Sequence, residues 1–150
     1  QEFFTGDSPR EGFSWDWFSA RLADGRDLMF FRVRRGDTAD VPVGTVVEAD
    51  GTTRPLDTAG ATFSPGRTWT SPWTGATYPV EWTVTFPAED ARLEIRALLD
   101  EQEVHAERTV GFAYWEGLSR YEGTWNGESV TGEGYVELTG YDSDAASSRR

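Results

Sequence analysis

The last quarter of the chain reads Leu118-Ser119-Arg120-Tyr121-Glu122-Gly123-Thr124-Trp125, then Asn126-Gly127, then Glu128-Ser129-Val130-Thr131-Gly132-Glu133-Gly134-Tyr135-Val136-Glu137-Leu138-Thr139-Gly140-Tyr141. Asn-Gly between two runs of strand-forming residues is a strong hairpin signal, because both residues tolerate the positive φ angles of a type I′ turn. The pattern therefore predicts two long antiparallel strands joined at Asn126-Gly127.

The rest of the chain carries the same kind of pattern, with short alternating stretches separated by Gly, Pro and Asp. In residues 80–86, Val80, Trp82 and Val84 alternate with polar residues, as in a strand with one buried face. Asp24-Gly25 reads as another tight turn. The remaining predicted strands cover residues 15–22, 27–33, 45–48, 52–56, 61–64, 93–99 and 110–116, with loops at 35–43 and 65–79.

These elements predict an all-β protein, an up-and-down antiparallel barrel or a strongly curled sandwich of roughly eight to ten strands. Barrels of about eight strands either fill their interior with side chains or hold one small ligand. A chain of 150 residues supports one domain. We assign that domain to residues 1–141 and expect residues 142–150 to form a flexible polar tail.

Composition narrows the class of function. The formal net charge of −12 argues against nucleic acid and anionic membrane surfaces as partners. Cysteine is absent, which excludes disulfides and thiolate metal sites. No run reaches the length of a membrane-spanning helix and no signal peptide precedes Gln1, so we expect a cytoplasmic protein, with secretion left open. Every basic residue is Arg, which is typical of a high-GC, bacterial coding sequence.

Aromatic residues and carboxylates alternate unusually near the C-terminus. Residues 112–117 read Phe-Ala-Tyr-Trp-Glu-Gly, and one face of the last strand reads Tyr135, Glu137, Thr139 and Tyr141. Outward positions of strands are usually charged and inward positions aliphatic, and this face matches neither habit. We predict that it lines a cavity for a largely apolar molecule.

Glu116 and Glu137 are the predicted catalytic residues. An acid enclosed by aromatic rings loses solvation, which raises its pKa and lets it donate a proton to an alkene or a carbonyl. The flanking rings would shelter a cationic intermediate, and the predicted substrate-binding residues here are Tyr114, Trp115, Tyr135 and Tyr141. The alternative is a structural role, in which both glutamates bond backbone or an Arg.

Further candidates lie towards the N-terminus and in the middle of the chain. Trp15 and Trp17 are predicted to bind substrate, and Asp16 between them must face the other way, so that a solvated Asp16 is favoured over an interior one. Trp69 and Trp73 are also predicted to bind substrate, as a lid at the barrel mouth. His105 is the only histidine and is spaced like a residue of an exposed loop, so no metal site and no cofactor are predicted.

These segments together resemble one known family. The pieces are Trp15-Asp16-Trp17-Phe18, Leu22-Ala23-Asp24-Gly25-Arg26-Asp27-Leu28-Met29, Trp69-Thr70-Ser71-Pro72, Tyr78-Pro79-Val80-Glu81-Trp82, Asp100-Glu101-Gln102-Glu103, Tyr114-Trp115-Glu116-Gly117 and residues 134–141. In this order they resemble the C-terminal half of the lipocalin-like family that contains carotenoid 1,2-hydratase and AttH-like proteins. The resemblance implies a lipocalin-like barrel. It also implies a missing N-terminal lipocalin-like half, or a homodimer in its place, because members usually carry two halves.

Three functions follow from that resemblance. The first is a cofactor-independent cyclase (a pericyclase of the Diels-Alderase kind) that folds a hydrophobic polyene or polyketide inside the barrel, where orientation alone lowers the barrier. The second is a hydratase or lyase that adds water to a terpenoid double bond. The third is a carrier that binds a hydrophobic small molecule without reaction. The sequence favours the cyclase.

Overall fold

Twelve β-strands carry the part of the chain that the computed structural model describes, which comprises residues 13–35, 38–106, 108 and 111–141. The strands are β1 (Phe13–Leu22), β2 (Asp27–Arg35), β3 (Thr38–Val47), β4 (Thr53–Pro55), β5 (Thr62–Pro65), β6 (Thr68–Thr70), β7 (Thr77–Pro79), β8 (Glu81–Phe86), β9 (Ala91–Ala97), β10 (Glu103–His105), β11 (Ala113–Trp125) and β12 (Glu128–Leu138). A 3-10 turn, Pro87–Glu89, links β8 to β9. No helix of the described residues is long and apolar enough to cross a membrane. The predicted tail lies outside the described residues.

Ten of the strands form one antiparallel sheet in the order β4-β3-β2-β1-β12-β11-β9-β8-β5, with β10 added beside β11, and β6 and β7 form a separate hairpin. The last strand, β12, is inserted between β1 and β11, so the two ends of the domain are paired. The sheet curls until strands from opposite ends of this order face each other across one core. The predicted all-β, lipocalin-like architecture is confirmed.

The core is a set of aromatic rings at the centre of the curl. The ring centroid of Phe18 lies 5.0 Å from that of Phe30 and 5.4 Å from that of Trp82, and the Phe30 and Phe86 centroids lie 5.1 Å apart. All four side chains are at most 3% exposed. Stacked and edge-to-face rings at these distances pack favourably. The centre of the barrel is therefore filled by side chains, the first of the two options open to a small barrel.

The C-terminal hairpin forms as predicted. Asn126 and Gly127 both have positive φ, 52° and 74°, and the strands on either side pair from Trp125 opposite Glu128 to Trp115 opposite Leu138. The two strands predicted at 110–116 and 118–125 are one strand, β11, because Gly117 stays in register opposite Val136. Gly134 lets β12 lie close to β1, since a Cβ there would clash with the Ser19 carbonyl oxygen.

The loops predicted at 35–43 and 65–79 contain strands. Most of the first belongs to β3, which tolerates Pro42 because β4 pairs only with residues 45–47 and leaves β3 an edge strand at that point. The second holds the β6–β7 hairpin, in which Trp69 pairs with Tyr78.

A bidentate ion pair joins β4, at one end of the strand order, to the turn after β8, near the other end. Arg54 of β4 donates from Nη1 to Oε1 of Glu89 at 2.7 Å and from Nη2 to Oε2 at 2.9 Å. The Asp57 amide donates to the same Oε1 at 3.2 Å. Although burial opposes it, the Arg54 guanidinium holds the pKa of Glu89 below its usual range. The pair ties β4 to the turn after β8.

Glu89→Gln should lower the free energy of unfolding by about 2 kcal/mol at neutral pH, because the amide lacks the negative charge and offers Arg54 one acceptor oxygen in place of two. The folded-state pKa is depressed, so this contribution is present above the ordinary pKa of 4.5 and is lost as pH falls through the folded value. Urea titrations of both proteins at neutral pH and well below pH 4.5 measure the difference. A gap that stays constant across this range would contradict the assignment.

Candidate functional site

The predicted catalytic glutamates lie on the outside of the barrel. Glu116 pairs directly with Glu137, and Glu137 pairs with Trp17 on its other side, so the three side chains share one face of the sheet. Val136, Leu138 and Trp115 alternate with them and are at most 2% exposed on the core face. The prediction of a cavity-lining face is wrong here, because the strand period places the aliphatic residues inside.

This outer aromatic–acid face comprises Trp15, Trp17, Tyr114, Glu116, Tyr135 and Glu137. Trp15 donates from Nε1 to Oε1 of Glu137 at 2.6 Å. Burial, followed by the charges of Glu116 and Glu137, raises the pKa of the Tyr114 hydroxyl. Tyr135 is 47% exposed and Glu116 is exposed as well. Six of the predicted site residues are thus brought together, but towards solvent. Their roles in catalysis and binding stay predictions.

The other predicted site residues lie elsewhere. Trp115 is buried in the core and donates from Nε1 to the Asp100 carbonyl at 2.7 Å. Trp69 stacks on Tyr78, while Trp73 is 58% exposed and its ring lies nearly perpendicular to that of His105, with the centroids 5.7 Å apart. Tyr141 leaves the predicted face, because Gly140, with φ of 81°, turns the chain inward after β12.

Asp16 is an interior residue, and the expectation of a solvated side chain is wrong. It is completely buried on the same face of β1 as Phe18, whereas Trp15 and Trp17 are half-buried on the outer face. The two tryptophans pack outward beside Glu137, so the strand period sends the carboxylate between them inward.

Asp16 is the centre of a polar cluster at one end of the barrel. Its Oδ2 accepts a hydrogen bond from Arg32 Nε at 2.7 Å. Its Oδ1 accepts from the Tyr141 hydroxyl at 2.9 Å and from Arg34 Nη2 at 3.3 Å. We call these four residues the Asp16 cluster. Asp40, which is more exposed, accepts from Arg32 Nη1 at 3.0 Å.

Aromatic rings surround the two guanidinium groups. The Arg32 guanidinium lies 5.3 Å from the ring centroids of both Phe63 and Trp82, and the Arg34 guanidinium lies 4.5 Å from that of Tyr141. Such contacts stabilise a cation that has lost part of its hydration. Burial, and then the charge of Asp16, raise the pKa of Tyr141, so this hydroxyl remains protonated and donates.

Sequence reasoning missed the two arginines of this cluster. Their signal was present in β2, where Leu28, Phe30, Arg32 and Arg34 follow one another at every second position. Leu28 and Phe30 are buried. Continuing the same period places the two arginines on the core face, although their charge had suggested the surface.

A second buried carboxylate lies beside the Asp16 cluster. The side chain of Glu103 is fully buried and accepts hydrogen bonds from the Ser71, Thr74 and Tyr78 hydroxyls, the last two at 2.6 and 2.9 Å. His105 Nε2 lies 3.3 Å from its Oε2. We call these five residues the Glu103 cage. In the described part of the chain no group of three His, Cys, Asp or Glu side chains is placed to hold a metal.

The Asp16 cluster and the Glu103 cage contact each other through Tyr141 and Tyr78. The ring centroids of Tyr78 and Tyr141 lie 5.5 Å apart, with one hydroxyl bonded to Glu103 and the other to Asp16. The Glu103 cage also fixes the turn between β6 and β7, because the Trp73 and Thr74 amides donate to Ser71 Oγ, each at 3.2 Å. One end of the barrel therefore holds two buried carboxylates, two tyrosines and two arginines.

The comparison with known protein families agrees with this fold. The AttH-like family matches residues 1–141. The chain belongs to the AttH-like family. No curated protein matches it. This AttH-like chain is similar to a solved AttH protein from Nitrosomonas europaea, with 35% identity over 93% of this chain and 41% of that one, and a TM-score of 0.74.

A second solved structure shares the fold with this AttH-like chain. It is kievitone hydratase from Nectria haematococca, which is 21% identical over 83% of this chain and 38% of that chain, with a TM-score of 0.70. At this identity the likeness concerns the fold alone. The AttH-like chain spans about two fifths of the length of both solved relatives, 41% and 38%.

Proposed function

We propose that this AttH-like chain provides an acid–base site that adds water to a carbon–carbon double bond of an apolar small molecule, or removes it. The observation that carries the proposal is Asp16, a fully buried carboxylate that accepts hydrogen bonds from two guanidinium groups and a phenol. Burying several charged groups costs free energy, and groups of this kind gather at functional sites.

The cluster divides its members into one proton acceptor and three donors. Arginines donate only, and Tyr141 remains protonated because burial raises its pKa. Asp16 is therefore the base that takes a proton from water as its oxygen bonds to carbon. The Tyr141 hydroxyl holds Asp16 in place. General base catalysis of this kind contributes about 10²–10⁴-fold in rate.

Two alternative functions have less support: the cyclase, which the sequence favoured, and the carrier. Both need a wide enclosed space for the ligand, and the rings of Phe18, Phe30 and Phe86 fill the centre of the barrel. A hydratase needs access only at one end, where the side chains of Arg32 and Arg34 are 15% and 25% exposed. A hydratase among the proteins that share the fold also favours this reaction class.

Glu116 and Glu137 form a second candidate acid pair on the outer aromatic–acid face. An acid gains the desolvation that proton donation needs only when it is covered. We infer that this pair acts only if a second lipocalin-like half, or a second copy of the chain, covers the face. Sedimentation analysis of the chain measures whether a second copy is bound.

Incubation in water labelled with heavy oxygen tests the proposed reaction. The substrates are two sets of apolar alkenes, one with isolated and one with carbonyl-conjugated double bonds, followed by mass spectrometry. A hydratase gives a product heavier by one labelled water. A product of unchanged mass indicates the cyclase, and saturable binding without product indicates the carrier; either result overturns the proposal.

A further inference from the structure

Arg34 has more hydrogen-bond donors than the described structure uses. Both of its bonds are made by Nη2, to Asp16 Oδ1 at 3.3 Å and to the Thr139 carbonyl at 2.7 Å. Its Nε is buried and has no hydrogen-bond partner among the described residues. A guanidinium carries five N–H donors in a fixed plane, and buried donors are rarely left unpaired.

The carboxylates near Arg34 are bound more closely by Arg32 than by Arg34. Asp16 gives its shorter bond, 2.7 Å, to Arg32, and the second acid, Asp40, also contacts Arg32. Arg34 therefore shares one carboxylate at a longer distance and contacts the Tyr141 ring on its face. The charge of the Arg34 guanidinium is therefore balanced less fully than that of Arg32.

We propose that Arg34 binds a substrate oxygen that carries negative charge during the reaction, so that the double bond is conjugated to a carbonyl group. This inference deepens the proposed function and rests on it. The water oxygen bonds to the carbon β to the carbonyl, its proton passes to Asp16, and the π electrons move to the carbonyl oxygen. Arg34 stabilises the resulting enolate. The α carbon then takes the proton back from Asp16, and the product contains one added water.

The alternative is a purely structural Arg34. Its bond to the Thr139 carbonyl links β2 to the end of β12, and such a link needs no ligand. The two roles differ in a measurable way. An oxyanion site prefers a charged oxygen to a neutral one of the same shape, whereas a structural link has no such preference.

Binding of 4-nitrophenolate and of 4-nitroanisole to the full chain tests the inference by calorimetry. The first probe has an anionic oxygen conjugated to an aromatic system, and the second has the same ring with a neutral ether. We expect the phenolate to bind about tenfold more tightly, the preference that one charge-assisted hydrogen bond supplies. Arg34→Met should remove that preference. Arg120→Met, at a side chain that is 55% exposed on the outer face, should keep it.

Melting curves show whether the Arg34→Met protein folds. If it does not, Arg34→Lys is tested in its place. Lysine keeps the charge without the planar fork, and we expect it to lose about half of the preference on a logarithmic scale. Equal affinity for both probes, no binding of either, or an unchanged preference in the folded Arg34 variant overturns the inference. Asp16→Asn separates this from the proposed function, because it should lose turnover and keep the phenolate preference.

Discussion

Asp16→Asn is expected to lower the rate at which the alkene substrate is hydrated by about 10²–10⁴-fold, which is the contribution of a positioned general base. The amide keeps the shape of the carboxylate and can still accept a hydrogen bond, but it cannot take a proton from water. The side chain is completely buried and its partners Arg32 and Arg34 stay charged, so the variant should also lose about 3 kcal/mol of stability. Single-turnover rates measured well below the melting temperature separate the two effects.

Two further variants control for the change of charge. Glu133→Gln also replaces a carboxylate by an amide, but at a residue of β12 whose side chain is 63% exposed. It should leave turnover unchanged. Glu137→Gln tests the acid pair on the outer aromatic–acid face. If Glu137→Gln abolishes turnover while Asp16→Asn stays active, the reaction belongs to the outer face and the assignment to Asp16 is wrong.

Glu103→Ala is expected to lower the free energy of unfolding by about 3 kcal/mol, because it leaves several buried hydroxyl donors without their charged acceptor. For a domain of this size the melting temperature should fall by roughly 8 °C. The Ser71 and Thr74 hydroxyls would be released together, and with them the turn between β6 and β7. Hydrogen exchange at the Trp73 and Thr74 amides, which donate to Ser71 Oγ, should become faster than elsewhere in the barrel.

The matched control is Glu101→Ala, which removes an exposed carboxylate from the same connection. It should leave both the melting temperature and the exchange of the turn as they are. A Glu103→Ala protein with unchanged exchange at Trp73 and Thr74 would show that the cage does not hold the turn. Because Tyr78 contacts Tyr141, a released turn should also lower turnover several-fold without changing the chemistry at Asp16.

Local patterns predicted most of the architecture. The type I′ turn at Asn126-Gly127 needs only its own two residues, so it could be identified without tertiary information. The alternation in β8 likewise gave Trp82 as a core residue, and it is 3% exposed. The β6–β7 hairpin was predicted as part of a loop at 65–79, because strands of three residues are too short to show a recognisable alternation.

The candidate site could not be predicted in the same way. Period-2 patterns show which residues share a face, but they do not show which face is inside. The sequence set Glu116 and Glu137 among Tyr114, Trp115, Tyr135 and Tyr141. In the structure both glutamates face outward, whereas Trp115 is buried in the core and Tyr141 bonds to Asp16. The Asp16 cluster joins the β1–β2 hairpin to Tyr141, which follows β12 and lies 125 residues from Asp16 in sequence. No local motif links Tyr141 to that hairpin.

By itself, the sequence determined that this is an all-β chain, where its long hairpin turns, and which residues along one strand share a face. Those properties depend on neighbouring residues along the chain and on a strand period of two. The tertiary structure alone decided that Asp16 is buried, that Arg32 and Arg34 meet it, and that the two predicted glutamates lie outside. Which face of each strand lies inside depends on how the whole sheet curls around Phe18, Phe30 and Phe86. A carboxylate on the inner face is buried among other side chains, and its chemistry depends on that burial.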